Sequence, residues 1–202
     1  MKRLGLVAVI LVLAVAGCSK DADPAATPTT GTSTSVDPTD AASPSTAASP
    51  SSDAVVFTVD GGGPYEIGAT LTSLKDKNLL DAVSTTNELC PTNTYAKGTG
   101  DWKDLNLSFR PDGKLYMAVN RSAKIPTPSG AWLGMTMAAI QSIYGTIGKQ
   151  LDGGGGAVAF LVTTDTGQGL LFDFDQKKKV MSMIAGDATY LKDSYLGGTD
   201  FC

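Results

Sequence analysis

Residues 105–119 read LNLSFRPDGKLYMAV, and this stretch decides the fold. Apolar residues alternate with polar or small ones on both sides of Pro111-Asp112-Gly113, which is a strong turn sequence. The stretch therefore predicts an antiparallel β-hairpin. Because side chains of a strand point alternately to its two faces, one set is expected to be buried: Leu105, Leu107, Phe109, Leu115, Met117 and Val119.

A helix start precedes the hairpin, and a second one follows it. In each, an aromatic residue is followed by a glycine and then by a threonine whose hydroxyl can cap a helix, Thr70 in the first and Thr136 in the second. Gly145 and Gly148 indicate that the second helix ends early. The positions expected to point inward are Leu71 and Leu74 in the first helix, and Met137, Ile140, Tyr144 and Ile147 in the second.

Apolar runs after the second helix predict strands over residues 157–164, 170–174 and 180–184, beyond a mobile glycine-rich loop at 149–156. A helix followed by antiparallel strands, twice over, predicts an α+β fold. We expect residues 54–202 to form one compact domain of two similar helix-plus-antiparallel-sheet repeats, 54–128 and 129–202.

The start of the second repeat resembles a known family. Leu133-Gly134-Met135-Thr136, with a hydrophobic helix ending near Tyr144-Gly145, resembles the β-lactamase-inhibitor-protein type of tandem domain found in actinobacteria. The small BamE type of outer-membrane assembly lipoprotein has a similar Gly-Met-Thr helix entry. The resemblance implies two repeats whose combined concave sheet grips a protein partner. The inhibitor type has a disulfide inside each repeat, whereas each half of this chain has one cysteine.

The first residues of the chain indicate where the protein is located. Met1-Lys2-Arg3 precedes an apolar run that is too short for a bilayer span and that ends at Val15-Ala16-Gly17-Cys18. This segment resembles the bacterial lipoprotein signal, which implies removal of residues 1–17 and a lipid on Cys18. The protein would then be anchored to the extracytoplasmic face of the cell membrane. The alternative is an ordinary signal peptide or an uncleaved anchor in which Cys18 is incidental.

Residues 18–53 are expected to be a disordered tether, because they are rich in Ser, Thr, Ala and Pro and hold little that could form a core. With Cys18 assigned to lipid, Cys90 and Cys202 remain, and an exported domain most simply pairs them. In the chain-entropy model, a bridge closing so long a loop stabilises the fold by about 4–5 kcal/mol. The alternative is two free thiols.

Composition excludes several classes of function. The chain has no histidine, which rules out Ser-His-Asp and Cys-His nucleophilic sites as well as His-bearing zinc sites. Residues 54–202 hold 13 Lys plus Arg against 15 Asp plus Glu, so the domain has no excess of cations for a nucleic acid. We therefore expect no nucleic-acid partner, no metal and no cofactor.

The hairpin and the later strands share an outer face that is small and only partly polar. Its expected members are Asn106, Ser108, Tyr116, Ala118, Ala159, Leu161, Leu171 and Asp173. A contiguous apolar patch of this kind marks a binding surface. We expect a non-enzymatic module that binds an envelope or secreted protein through Tyr116, Leu161, Leu171 and Asp173. The alternatives are an envelope hydrolase that uses Asp173 and Asp175 as paired carboxylates, and a structural cell-wall-associated lipoprotein.

Overall fold

The computed structural model describes residues 55–199 and residue 201. This part of the chain contains three α-helices and eleven β-strands, and the strands form two antiparallel sheets. The fold therefore belongs to the α+β class. The predicted signal segment 1–17 and the whole predicted tether 18–53, with Cys18, lie outside the described residues.

The chain runs through its elements in an order that places four strands after each of the first two helices. The elements up to residue 120 are β1 (Phe57–Thr58), β2 (Gly61–Gly62), β3 (Tyr65–Glu66), α1 (Leu71–Asp76), β4 (Asp81–Ser84), β5 (Thr94–Lys97), β6 (Leu105–Phe109) and β7 (Leu115–Asn120). The later ones are α2 (Met137–Tyr144), β8 (Gly148–Asp152), β9 (Val158–Thr163), β10 (Gln168–Phe174), β11 (Val180–Asp187) and α3 (Ala188–Gly197).

The two sheets differ greatly in size. Strands β1, β2 and β3 form a small sheet, and the other eight form a large one in the order β4-β5-β6-β7-β11-β10-β9-β8. Strands β7 and β11 are neighbours at its centre, although they are far apart in sequence. Strands β4 and β8 are its two edges.

The predicted hairpin is confirmed as β6 and β7. Its turn is closed by hydrogen bonds from the Gly113 amide to the Arg110 carbonyl (2.8 Å) and from the Lys114 amide to the Asp112 carboxylate (3.0 Å). Gly113 has a φ of +78°, which a glycine adopts without strain.

The predicted alternation along β7 is wrong beyond Leu115. Phe109 pairs with Leu115 but Ser108 pairs with Met117, so Tyr116 is an extra residue in a β-bulge. The bulge reverses the face of every later side chain. Met117 and Val119 therefore lie on the same side as Tyr116, and Ala118 lies in the core on the opposite side.

Both predicted helix starts are confirmed. The Thr70 hydroxyl accepts a hydrogen bond from the Ser73 amide, and the Thr136 hydroxyl accepts one from the Ala139 amide, each at 3.2 Å. Helix α2 ends at Tyr144 because Gly145 has a φ of +52°. Ile147 lies beyond this end and is 62% exposed, so its predicted inward position is wrong.

The large sheet buries side chains on both sides. We call the side that contacts α1, α2 and the small sheet the first face; its largest buried residues are Leu105, Leu107, Phe109, Leu115, Phe160, Phe172 and Met183. We call the side that contacts α3 the second face; its buried residues are Tyr116, Met117, Leu151, Ala159, Leu161, Leu171 and Ile184. Helix α3 contacts only β8, β9, β10 and β11 extensively.

Helix α3 was not predicted, and its ends explain how it forms. The Asp187 carboxylate accepts a hydrogen bond from the Tyr190 amide at 2.7 Å, and Gly198 ends the helix in the left-handed conformation. The helix approaches the sheet closely where it crosses Gly169. A methyl group added at Gly169 would lie 2.9 Å from the Cα atom of Ala188.

We expect Gly169→Ala to lower the free energy of unfolding by about 1–3 kcal/mol, because the added methyl group must push α3 away from the sheet. Thermal unfolding should show a lower Tm, and amide hydrogen exchange should be faster in α3. Gly154→Ala is the matched control, since a methyl group there meets nothing within 4 Å. Equal Tm values for the two variants would contradict the expected close packing.

Candidate functional site

The predicted partner-binding residues do lie on one face of the sheet, but that face is covered where they stand. Tyr116, Leu161 and Leu171 are 7%, 5% and 0% exposed, and Asp173 is half-buried. Helix α3 and Phe201 pack over them, with Leu191 fully buried in the contact. The prediction that Tyr116, Leu161 and Leu171 meet a partner is therefore wrong, because the chain buries this apolar surface under its own helix.

Tyr116 ties two distant parts of the chain together. Its hydroxyl donates a hydrogen bond to the Phe201 carbonyl (2.9 Å) and accepts one from the Asn93 side-chain amide (3.1 Å). Its ring meets that of Tyr190 edge-on with centroids 5.6 Å apart, and the Arg110 guanidinium stands 5.2 Å from the Tyr116 centroid. Burial, followed by the neighbouring Tyr190, raises the pKa of Tyr116 well above its usual range. Tyr116 therefore has a structural role in this site.

Cys90 lies close to this tyrosine. It is 5% exposed, and Cys202, its predicted disulfide partner, lies outside the described residues. The Cys90 carbonyl accepts a hydrogen bond from the Asn93 amide at 3.1 Å. Since Asn93 and Phe201 both bind the Tyr116 hydroxyl, the chain next to residue 202 is near Cys90.

The two candidate carboxylates have different surroundings. Asp175 lies at a turn, where one of its oxygens accepts hydrogen bonds from the amides of Lys177 (2.8 Å) and Lys179 (2.9 Å). Asp173 lies between Ala159 and Ser182 in the sheet. Burial raises the pKa of Asp173, against the opposing effects of a backbone hydrogen bond and of Arg121. Asp175 thus serves the turn, and the pair does not act as one unit.

The second face is open where Lys97, Asn106, Val119 and Arg121 lie on β5, β6 and the end of β7, beyond the part covered by α3 and Phe201. A groove there, which we call the open groove, has a volume of about 340 Å³. Its lining consists of Ala82, Tyr95, Ala96, Lys97, Asn106, Leu107, Val119 and Arg121. Four of these residues are polar, whereas the covered part of the same face is almost entirely apolar.

The open groove is cationic. Lys97 and Arg121 are exposed, and none of the described carboxylates lines the groove with them. Within residues 55–199, the oppositely charged side chains that come within 4 Å of each other are Lys192 and Asp193, both on α3. Asp81 is the strand partner of Lys97, and its carboxylate accepts a hydrogen bond from the Ala82 amide at 2.7 Å. Among the described residues, the two cations are therefore exposed and have no carboxylate within 4 Å.

Sequence reasoning overlooked this groove. The sequence analysis identified Asn106 as an outer-face residue. It did not predict the strand that contains Lys97, and it assigned Val119 to the wrong face because it did not anticipate the bulge at Tyr116. The signal that could have found Lys97 is Thr94-Tyr95-Ala96-Lys97, where the β-formers Thr94 and Tyr95 begin a short strand. The long polar stretch around it concealed that strand.

Comparisons with known proteins give little information about this chain. It matches no protein-family model and no curated protein. A solved structure of an extracellular protein containing a SCP domain, from Bacillus anthracis str. Ames, is similar over 63% of this chain and 46% of that one, at 11% identity and a TM-score of 0.41. The chain thus spans less than half of that protein. None of the helices in the described residues has the length and apolar character needed to cross a membrane.

We expect Asp173→Asn to raise the Tm at pH 7. Asp173 has a raised pKa in the folded state, so it binds its proton more tightly there than in the unfolded chain. Ionisation of Asp173 therefore lowers the stability of the fold at any pH above the folded pKa. This loss of stability disappears below the unfolded pKa of about 3.9. The advantage of the variant should therefore shrink as the pH falls towards 4. Asp165→Asn, at an exposed turn, is the control. An advantage independent of pH would show that ionisation of Asp173 is not its cause.

Proposed function

We propose that this protein is a lipid-anchored, extracytoplasmic binding module, and that the open groove receives an envelope or secreted protein partner. One observation supports this proposal above others. One part of the second face is covered by α3, while the open groove combines four polar with four apolar lining residues and remains uncovered. A pocket with a few convergent polar groups is the usual form of a binding site.

We also propose that the domain arose from two copies of one unit, as the resemblance to the β-lactamase-inhibitor-protein type implies. The starts of α1 and α2 are held by matching backbone hydrogen bonds. Gly68 donates to the Leu115 carbonyl (2.7 Å), and Gly134 donates to that of Val180 (2.8 Å). Leu115 in turn donates to Ala69, and Val180 donates to Met135.

The central strand pair supports the same proposal. Leu115 and Val180 are 65 positions apart, and the same shift carries Val119 onto Ile184. These last two residues pair directly between β7 and β11. A shift of 65 positions also takes Ala118 to Met183 and Asn120 to Ala185. The pair Ala118–Ala185 on one side of the centre therefore corresponds to the pair Met183–Asn120 on the other. This register is the one expected for two copies related by a two-fold axis through the Val119–Ile184 pair, which supports the proposal.

Under this duplication the two halves of the second face can be compared position by position. The shift of 65 positions matches Asn106 with Leu171 and Val119 with Ile184. The strand partners on either side then give three more matches: Lys97 with Leu161, Tyr95 with Ala159 and Ser84 with Leu151. The later copy carries apolar residues at all five positions and requires a cover. The earlier copy carries four polar or amphipathic residues there, so it can face water and remain available to a partner.

Binding is favoured over catalysis by the side chains that are present. The chain has no histidine, and Asp175 is engaged with two turn amides. The open groove contains cations, a tyrosine and an amide, and its described lining has no carboxylate or nucleophile partnered with a base. We therefore propose no enzymatic activity.

We further propose that Cys18 carries the lipid and that Cys90 pairs with Cys202. The position of Phe201 beside the Tyr116 hydroxyl supports this pairing. Mass spectrometry of protein extracted from membranes without reductant should find a diacylglyceryl-modified peptide starting at Cys18 and a peptide containing Cys90 linked to one containing Cys202. Cys18→Ala should lose labelling by palmitate. A labelled mutant, or two alkylated thiols in the native protein, would refute the respective assignment.

Photo-crosslinking in intact cells tests the groove. A photoreactive amino acid at position 106, within the groove, should yield a discrete adduct with a second protein, and position 119 should yield the same one. Position 141, exposed on α2, is the matched control and should yield none. Adducts that are absent from 106 and 119, or equally abundant from 141, would refute the proposed site.

A further inference from the structure

The open groove has two exposed cationic side chains, Lys97 and Arg121, on a partly apolar floor. Lys97 and Arg121 line it with Val119 and Asn106 between them, and Tyr95 adds ring surface on the side of Lys97 away from Arg121. Asp173 acts on Arg121 but does not come within 4 Å of it. A cationic groove with low-dielectric walls attracts ligands of opposite charge. The ligand chemistry that fits is therefore anionic.

The spacing of the two cations indicates the shape of the ligand. Lys97, Asn106 and Val119 are aligned across three neighbouring strands, so the outer two are about 9–10 Å apart. Arg121 lies two residues beyond Val119, which places the Cα atoms of the two cations roughly 12 Å apart. Alternate side chains of an extended peptide are separated by about 7 Å. Two acidic side chains on one such segment can therefore each meet a cation, because Lys and Arg side chains are long.

The remaining groups in the groove suit a peptide. The Asn106 side chain has both a donor and an acceptor, and it stands between the cations, where it can pair with a main-chain amide. Ala82 extends the groove to β4, which is an edge of the sheet, so a bound chain can continue past it. These features favour an extended segment over a compact ligand.

We propose that the open groove binds an extended acidic segment of the partner protein, with two carboxylates on alternate residues held by Lys97 and Arg121. This inference rests on the proposed function and specifies the chemistry of the partner. The Arg121 guanidinium can hold a carboxylate through two parallel hydrogen bonds, whereas Lys97 acts as a point charge.

The test is titration of the ¹⁵N-labelled mature chain with synthetic probes at low salt. Pentaglutamate should shift the amide resonances of Lys97, Asn106 and Val119, and pentaglutamine should not. Binding should weaken steeply as salt rises, because the groove is open to solvent. Polygalacturonate is the third probe. Stronger binding of this acidic polysaccharide than of pentaglutamate would overturn the proposal in favour of a wall polymer.

Charge reversal identifies the residues responsible. Lys97→Glu with Arg121→Glu should weaken pentaglutamate binding about tenfold or more, since like charges then face each other. Lys114→Glu with Lys177→Glu, two exposed lysines at turns, is the matched control and should change binding less than about twofold. If the reversed variant loses its folded spectrum, Lys97→Gln with Arg121→Gln replaces it.

The outcomes separate this inference from the proposed function. Equal loss of binding in the control, no resonance shift near the groove, or equal binding of pentaglutamine would overturn the acidic-segment inference. Adducts from positions 106 and 119 that persist in the charge-reversed variant would also overturn it, while leaving the groove as the binding site. Loss of those adducts in this variant is the result we expect.

Discussion

The pairing of β7 with β11 is the constraint on which the large sheet depends. These strands come from opposite halves of the sequence, and four residue pairs join them from Met117–Gly186 to Asn120–Met183. Every other pairing in the large sheet links neighbours in sequence. Without this contact the sheet would separate into two four-stranded pieces, each with an apolar edge exposed. The two faces, and all that packs on them, are continuous only because these strands meet.

The two faces are used differently. The first face is covered along its length by α1, α2 and the small sheet, so it forms the main core. The second face has one helix, and this helix, with Phe201, covers the part where Leu151, Leu161 and Leu171 lie and reaches Tyr116 on β7. Chemistry decides this distribution, because apolar side chains require a cover and polar ones do not. The uncovered part is consequently where contact with another molecule costs least desolvation of the chain's own core.

The sequence alone predicted elements with strong local signals. The turn at Arg110–Gly113 and the threonine caps of α1 and α2 depend on nearby residues, and all three were correct. The faces of Met117 and Val119 could not be predicted, because a single bulged residue, Tyr116, reverses the alternation. Helix α3 has few large apolar residues, and β4 and β5 lie in a polar stretch, so tertiary contacts decide these elements. The groove was missed for the same reason.

The small sheet has a mechanical consequence. The chain enters the domain at β1, which pairs with only two residues of β2 and is tied to the loop before α2 by one hydrogen bond, from the Phe57 amide to the Pro126 carbonyl at 2.8 Å. A pull on the N-terminal side of residue 55 is therefore resisted first by these few hydrogen bonds and by the buried Phe57 side chain. They can yield one at a time, while the eight-stranded sheet behind them stays intact. Traction along the chain would therefore extend residues 55–62 before it disturbed the large sheet.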